Sequence, residues 1–371
     1  MTSLEQKLPI GLYFYKLGNK GGGAERMTCL IANALHERNF KVHIFSWDSY
    51  EAESFYPINP LITWHKLGWN PGLSDKWRRA RRLSRLFKRN NIKALIGMVM
   101  SGDKTVYAAT RMAGIKLIAA ERNAPSMYRL RYNKLQRWTM MGMLHLADQI
   151  VVQMPEYSTG YPTSLRNRIH TIANPVLPSE TKARIDLPNS NGQYTLLTVS
   201  RLDAIQKRLD ILIQAFAEIS ALHPDWILRI IGDGPDGDKL KEVSQNLGQS
   251  ERIHIVPSTN NIAEEYRSAN LFTIPSLWEG FPNSLAEAMS HGLPAVGFSE
   301  ASGVAELINK ADGWLAPGLD NPTTLANTLS LAMSSPTERL HRGEKAALAM
   351  NEYTPEKQFD KWAVLLNKLA A

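Results

Sequence analysis

Residues 10–46 read IGLYFYKLGNKGGGAERMTCLIANALHERNFKVHIFS, and the order of patterns within them decides the fold class. Ile10 to Tyr15 is a short apolar run that ends at Gly18 and Gly21-Gly22-Gly23, a strand running into a glycine-rich turn. Met27, Leu30, Ile31, Ala34 and Leu35 then recur at helical spacing, and a second strand, Lys41 to Ser46, follows at once. The segment is a βαβ unit. Outward from it, apolar runs predict strands at Ala94 to Met98, Lys116 to Ala120 and Gln149 to Val152. The second half repeats the pattern at Thr195 to Ser200, Trp226 to Ile231, Ile253 to Val256, Leu271 to Ile274 and Ala295 to Phe298, with helical segments between. Strands alternating with helices predict a parallel sheet covered on both faces, hence two α/β, Rossmann-like domains in tandem. A chain of 371 residues is long enough for two cores. A join near Asn174-Pro175 gives domains over 1–174 and 175–350 and a terminal segment over 351–371. There Phe359, Trp362, Leu365 and Leu366 share one helical face, which is expected to pack back onto the first domain.

Composition narrows the function. An apolar fraction of 44% with 21% charged residues belongs to a folded chain. No apolar run reaches the roughly 18–20 residues of a spanning helix, and the opening MTSLEQKLPIG lacks a signal-peptide core, so a cytoplasmic location is expected. The single cysteine, Cys29, sits among apolar helical positions and is expected to be a buried thiol, not a redox centre. The net charge of +8 conceals two unlike halves: residues 1–175 hold 26 Lys and Arg against 11 Asp and Glu, and residues 176–371 hold 17 against 24. The first half should therefore meet something anionic. Its clearest basic stretch, Lys76 to Arg89, sets Trp77, Ala80, Leu83, Leu86 and Phe87 at helical spacing and Arg78, Arg79, Arg81, Arg82, Arg85, Lys88 and Arg89 elsewhere. Such a helix either lies on an anionic membrane or faces its own core with a solvated basic side. Met127 to Trp138 mixes aromatics and cations in a similar way, without any nucleic-acid motif beside it.

The motif that carries most chemistry is Glu279-Gly280-Phe281-Pro282-Asn283-Ser284-Leu285-Ala286-Glu287, which follows a strand and opens a helix. Its glycine and proline shape a turn, and the N–H groups near Asn283 to Leu285 suit an anion such as a diphosphate. Glu287, early in the helix, could hold a ribose by two hydroxyls, and Glu279 could hold sugar hydroxyls. Alternatively, Glu287 only complements the helix dipole and Glu279 is a solvated loop residue. Upstream, Arg201 and Lys207 follow the strand at Thr195 and offer cations for a diphosphate. Gly232-Asp233-Gly234-Pro235 is a tight turn after the next strand, and Asp236-Gly237-Asp238, which mimics a metal-binding Asp-x-Asp, is expected to cap the helix from Lys239 onward. The glycines at 21–23 lack the GxGxxG spacing of a dinucleotide site, and no His, Cys and acid cluster has metal-ligand spacing.

These motifs together resemble the family 4 glycosyltransferases of GT-B fold, retaining enzymes marked by a glutamate, seven residues and a second glutamate. The resemblance runs through Gly21 to Arg26, Ala173-Asn174-Pro175, Ser200-Arg201-Leu202, Gln206-Lys207, Gly232 to Pro235, Glu279 to Glu287 and Gly292-Leu293-Pro294. The chain is most similar to bacterial members that extend polyprenyl-diphosphate-linked glycans. The resemblance implies two domains facing each other across a cleft, the first for the acceptor and the second for a nucleotide-sugar donor. It implies that Arg201 and Lys207 bind the donor diphosphate, that Glu287 binds the ribose and Glu279 the transferred sugar. Gly280, Phe281, Pro282, Asn283, Ser284, Leu285, Gly22 and Gly23 complete the donor-binding set. Where many members have a histidine, this chain has Ala120-Glu121-Arg122-Asn123, so Glu121 or Arg122 either faces the reacting centre or forms a loop salt bridge. The glycine common before the donor arginine is Ser200. The expected enzyme moves a hexose or N-acetylhexosamine from a UDP-sugar to a lipid-linked glycan. It needs no metal or cofactor, binds no nucleic acid, and is held at the inner membrane face by the Arg78 to Arg89 cations. The alternatives are a soluble acceptor or a silent sugar-nucleotide-binding module.

Overall fold

The computed structural model describes residues 8–18, 21–68, 75–99 and 103–370, and divides the chain into two compact units. The first comprises residues up to Asn174 together with Glu356 onward, and the second runs from Pro175 to Pro355.

The first unit is built on a seven-stranded parallel sheet. In chain order its strands are β1 (Pro9–Tyr13), β2 (Lys41–Ser46), β3 (Thr63–Lys66), β4 (Ala94–Met98), β5 (Lys116–Ala120), β6 (Gln149–Val152) and β7 (Ile169–Thr171). Helices α1 (Gly23–Glu37), α2 (Lys76–Arg89), α3 (Thr105–Ala113), α4 (Ser126–Arg131) and α5 (Lys134–Leu144) lie between them. Spatially the order is β3-β2-β1-β4-β5-β6-β7, so the winding direction reverses between β1 and β4. β1 ends at Tyr13, two residues before the expected limit.

The second unit has a six-stranded parallel sheet of β8 (Tyr194–Val199), β9 (Trp226–Ile231), β10 (Ile253–Val256), β11 (Leu271–Ile274), β12 (Ala295–Phe298) and β13 (Trp314–Ala316). Its helices are α6 (Ala204–Lys207), α7 (Leu209–Ile219), α8 (Gly237–Asn246), α9 (Ile262–Ser268), α10 (Asn283–Ser290), α11 (Ser302–Lys310), α12 (Pro322–Met333) and α13 (Pro336–Ala349). The order β10-β9-β8-β11-β12-β13 reverses between β8 and β11, which pair directly at Leu196 and Leu271. Crossovers leave these two strands toward opposite sides, and the loops at their carboxyl ends part to leave the crevice in which such sheets bind ligands.

The last helix, α14 (Pro355–Ala370), belongs to the first unit from Glu356 onward. Phe359, Trp362, Leu365 and Leu366 join one buried cluster with Ile10, Ile31, Leu35 and Ile172, as their shared face requires. Arg38 fixes the helix from outside by an ion pair to Asp360 at 2.8 Å. Trp362 is 1% exposed and Val364 is 52% exposed on the same helix. Trp362→Ala should therefore lower stability by about 3–5 kcal/mol, and Val364→Ala by under about 0.5, in denaturant unfolding. Equal effects would mean that the helix is not docked by this face.

Candidate functional site

Three loops meet at the carboxyl edge of the second sheet. The loop after β8 carries Ser200 to Asp203 into the single turn of α6, whose N-terminus is capped by Asp203 accepting from the Ile205 and Gln206 N–H groups. Arg208 then takes a left-handed conformation, φ 46°, which turns the chain sharply from α6 into α7. It is held there by ion pairs to Asp210 and Asp320. The turn leaves Lys207 as the last residue of α6, with its ammonium 2.5 Å from Glu279 Oε1. Glu279 belongs to the loop after β11. Two further bonds tie the loops together: the Leu277 N–H donates to the Gln206 carbonyl at 2.9 Å, and Gln206 Nε2 donates to the Trp278 carbonyl at 3.0 Å.

Past Glu279, Gly280, Phe281 and Pro282 are buried, and Phe281 meets the Tyr353 ring edge-on at 5.4 Å. Pro282 occupies the N-cap of α10 without a side-chain cap bond. The first intrahelical bond runs from the Ala286 N–H to the Pro282 carbonyl, and helix geometry leaves the first-turn N–H groups of Asn283, Ser284 and Leu285 without intrahelical partners. Glu287 stands one turn further on, half-buried, and accepts from the Tyr266 hydroxyl at 3.2 Å. Sequence reasoning missed Tyr266, since a tyrosine on an acidic helix carries no signal of a partner twenty-one positions away.

The loop after β9 closes the same edge. A side chain on Gly232, φ 155°, would overlap the Ser200 carbonyl oxygen, so glycine is required for the β8 and β9 loops to touch. Asp236-Gly237-Asp238 does not cap a helix from Lys239 as expected: α8 starts at Gly237, and Asp236 at its N-cap makes no side-chain cap bond. Its carboxylate instead accepts from the Ala204 N–H at 2.7 Å, bracing the start of α6. Arg201 is the most exposed cation of the set, with a side chain 61% exposed that pairs, among the described residues, with Asp203 at 2.8 Å.

In the first unit the glycine-rich loop opens α1. Gly22 is its N-cap, and Gly23 its first residue, with the Glu25 carboxylate folded back over Gly22. Asp48, which sequence reasoning also missed, accepts from the Leu17 and Gly18 N–H groups at 2.8 and 3.0 Å and holds the entry to this loop. Cys29 is buried, which pushes its thiol pKa up.

Glu121 and Arg122 follow β5 directly. Glu121 is 5% exposed, accepts from the Tyr128 and Tyr161 hydroxyls, and is in no ion pair among the described residues. Burial raises its carboxyl pKa, and the two tyrosine bonds only partly oppose this. Arg122 donates to the Asn174 side chain, and burial lowers its guanidinium to about 10. The loop salt bridge considered for this pair is not formed.

The basic helix α2 divides differently from its sequence pattern. Ala80, Leu83 and Phe87 are buried in the core of their own unit, so the apolar stripe is covered by protein and is not free to enter a membrane. Trp77 is 69% exposed and lies off that stripe. Arg79 turns inward to Asp103, a buried carboxylate that also accepts from Tyr13, Trp47 and Thr105. It is a structural ion pair and not a surface contact. Arg78, Arg81, Arg85, Lys88 and Arg89 are exposed, with Arg82 half-buried. The stretch from Met127 to Trp138 is two helices, α4 and α5, broken at Tyr132-Asn133, where Asn133 and Gln136 form a capping box. They border a cavity of about 860 Å³ with Arg129, Lys134, Arg137 and Trp138 on its wall. Leu130, Leu135 and Trp138 are 53%, 72% and 75% exposed. Among the described residues no helix is long and apolar enough to cross a membrane, and no group of three or more His, Cys, Asp or Glu could hold a metal ion.

Residues 21–180 match the family model described as Glycosyltransferase Family 4, and residues 179–349 match Glycosyl transferases group 1. A Haemophilus influenzae protein named as an uncharacterized glycosyltransferase is 27% identical over 96% of this chain and 99% of its own length. The N-acetylgalactosamine-N,N'-diacetylbacillosaminyl-diphospho-undecaprenol 4-alpha-N-acetylgalactosaminyltransferase of Campylobacter jejuni is 26% identical over 95% of this chain and 96% of its own. Among solved structures, Anabaena HepE in complex with UDP and glucose has the same fold, with TM-score 0.78 and 17% identity over 97% of this chain and 100% of that one.

The raised carboxyl pKa of Glu121 has a thermodynamic consequence. Below about pH 4.3 both folded and unfolded chains hold the proton; above it the unfolded chain releases it first, and stability falls until the folded group also ionises. Glu121→Gln removes this loss. Its melting temperature relative to the parent should therefore rise between about pH 4 and pH 7, and a difference that stays constant with pH would contradict the raised carboxyl.

Proposed function

Because the chain belongs to the family 4 glycosyltransferases and has their GT-B fold, we propose that it moves a hexose or N-acetylhexosamine from a UDP-sugar to a polyprenyl-diphosphate-linked glycan at the cytosolic face of a membrane, with retention of anomeric configuration. The observation that carries this reading is the junction of Lys207 with Glu279 at 2.5 Å, in the loop that leads into the N-terminus of α10. There the donor diphosphate takes Lys207, Arg201 and the first-turn N–H groups of α10 as its partners, the ribose takes the Glu287 carboxylate, and the sugar hydroxyls take Glu279. As the bond from the anomeric carbon to the diphosphate breaks, the leaving group gains negative charge, which these cations and amides stabilise more than they stabilise the intact donor. Glu279 and Glu287 bind the donor and are not a glycosidase pair on opposite sides of a bond. The cations do the work of a metal, so turnover is metal-independent.

The Campylobacter relative, by its name, acts on a diphospho-undecaprenol glycan, which favours a lipid-linked acceptor here. The UDP and glucose in the Anabaena structure favour a UDP-hexose donor. Two basic, partly apolar surfaces of the first unit suit a membrane of anionic lipid: Trp77 with Lys76, Arg78, Arg81 and Lys88 on α2, and Leu130, Leu135 and Trp138 with Arg129, Arg131 and Lys134 on α4 and α5. Since the stripe of α2 is occupied by the core, contact there is chiefly electrostatic and should weaken with salt.

Lys207→Ala should reduce turnover of UDP-sugar with membrane-extracted acceptor by about 10²–10³-fold, in EDTA as without it. Unchanged rate and UDP affinity would place the donor elsewhere, and activity lost to EDTA and restored by Mg²⁺ would refute metal independence. Sedimentation with phosphatidylglycerol liposomes should fall when Arg78, Arg81 and Lys88 are changed to Gln, and fall further with Trp138→Ser. Sedimentation indifferent to both would favour a soluble acceptor.

A further inference from the structure

We infer that the first unit holds a separate binding pocket for a diphosphate, or for two adjacent phosphoryl groups, between the edge strand β3 and α2. The pocket has a volume of about 820 Å³, within the range of small-molecule sites. Lys66 of β3 and Arg82, Arg85 and Arg89 of α2 line it, with Trp64 and Tyr50, and no Asp or Glu is on its wall among the described residues. The three arginines stand at i, i+3 and i+7, one strip of helix beside the buried stripe. Among the described residues, Arg78 pairs with Asp75 and Arg79 with Asp103, both outside the pocket.

Four cations facing one concavity repel each other, and Arg85 and Arg89 at i, i+4 do so along the helix. The interaction of Arg89 with the carboxyl end of α2 explains one charge, since it lies in the last turn. It does not explain Arg82, Arg85 or Lys66. Two of the four cations are also held in place. Arg82 donates to the Tyr50 hydroxyl at 3.2 Å, Lys66 donates to the Tyr50 carbonyl at 3.3 Å, and the Lys66 ammonium lies 4.5 Å from the Trp64 ring centre. Gly68, φ 62°, has no side chain to meet the Tyr50 ring that lies over it. Guanidinium groups pair with phosphoryl oxygens two bonds at a time, and a row of three with an ammonium opposite matches two linked phosphoryl groups better than one. Trp64 and Leu86 offer an apolar wall to whatever the diphosphate carries. His65, also on the wall, has its pKa lowered by burial and so adds no charge near neutral pH. The chemistry is common to a soluble or lipid-linked diphosphate and to phosphorylated lipid headgroups, and it holds whether or not the chain has the acceptor proposed above.

The test is calorimetric titration with inorganic diphosphate, made with UDP saturating so that the donor site of the second unit is filled. The parent chain should bind diphosphate more tightly than inorganic phosphate. Arg85→Gln with Arg89→Gln should weaken diphosphate at least about tenfold, while Arg78→Gln with Arg81→Gln, the same charge change on the same helix, should leave it within about twofold. Arg78, Arg81, Arg85 and Arg89 are all exposed, so matched melting temperatures check that folding is intact. Equal weakening by both pairs would show diffuse attraction and overturn the pocket, as would no binding to the parent. Competition then separates the sources: displacement by farnesyl diphosphate identifies a diphosphate-bearing ligand, and displacement by phosphatidylinositol-phosphate vesicles alone identifies a headgroup. Failure of both to displace would overturn the assignment of ligand class.

Discussion

The ion pair of Lys207 with Glu279 is the constraint on which the second unit's site depends. The two side chains are only 16% and 9% exposed, so neither charge is well hydrated. A pair so placed gains little for stability over an apolar replacement, and removing one partner leaves a charge stranded. Its value is geometric. It fixes the end of α6 against the loop after β11, and the two Gln206 bonds on the same junction prevent the loops from sliding. The carboxylate keeps the Lys207 ammonium aimed at the edge where the donor is proposed to bind.

That junction exists because of sheet order. β8 and β11 are far apart in sequence but adjacent in space, and their crossovers leave in opposite directions. The loops carrying Lys207 and Glu279 are thereby brought side by side at one edge, with the Gly232 turn of β9 packed against Ser200. The first sheet repeats the reversal between β1 and β4, and there the glycine-rich loop, Asp48 and Asp103 occupy the corresponding edge. The two units thus use one topological device.

The sequence made the central strands plain and the edges obscure, for a physical reason. β4, β11 and β12 are buried on both faces and read as unbroken apolar runs. The strands that went unread, β3, β7 and β13, are all at sheet edges, where TWHK and IHT mix polar residues into three- or four-residue stretches. Periodicity likewise located α2 and its stripe but not the surface that covers the stripe, because a protein core and a lipid bilayer select the same apolar spacing. Nor could it separate Arg79, drawn inward by Asp103, from Arg78 beside it. The glutamates and cations of the proposed donor site stand in recognisable motifs; Tyr266, which bonds Glu287, and Asp236, which braces α6, do not, since their partners lie 21 and 32 positions away.

The central claim is that the second unit binds a nucleoside diphosphate at the β8–β11 junction. It is tested most directly by a crystal structure of the chain with UDP. The account requires the diphosphate within bonding distance of Lys207 and Arg201, at the α10 N-terminus, and the ribose hydroxyls on Glu287. Density for UDP at any other place, with Glu287 unoccupied, would contradict it.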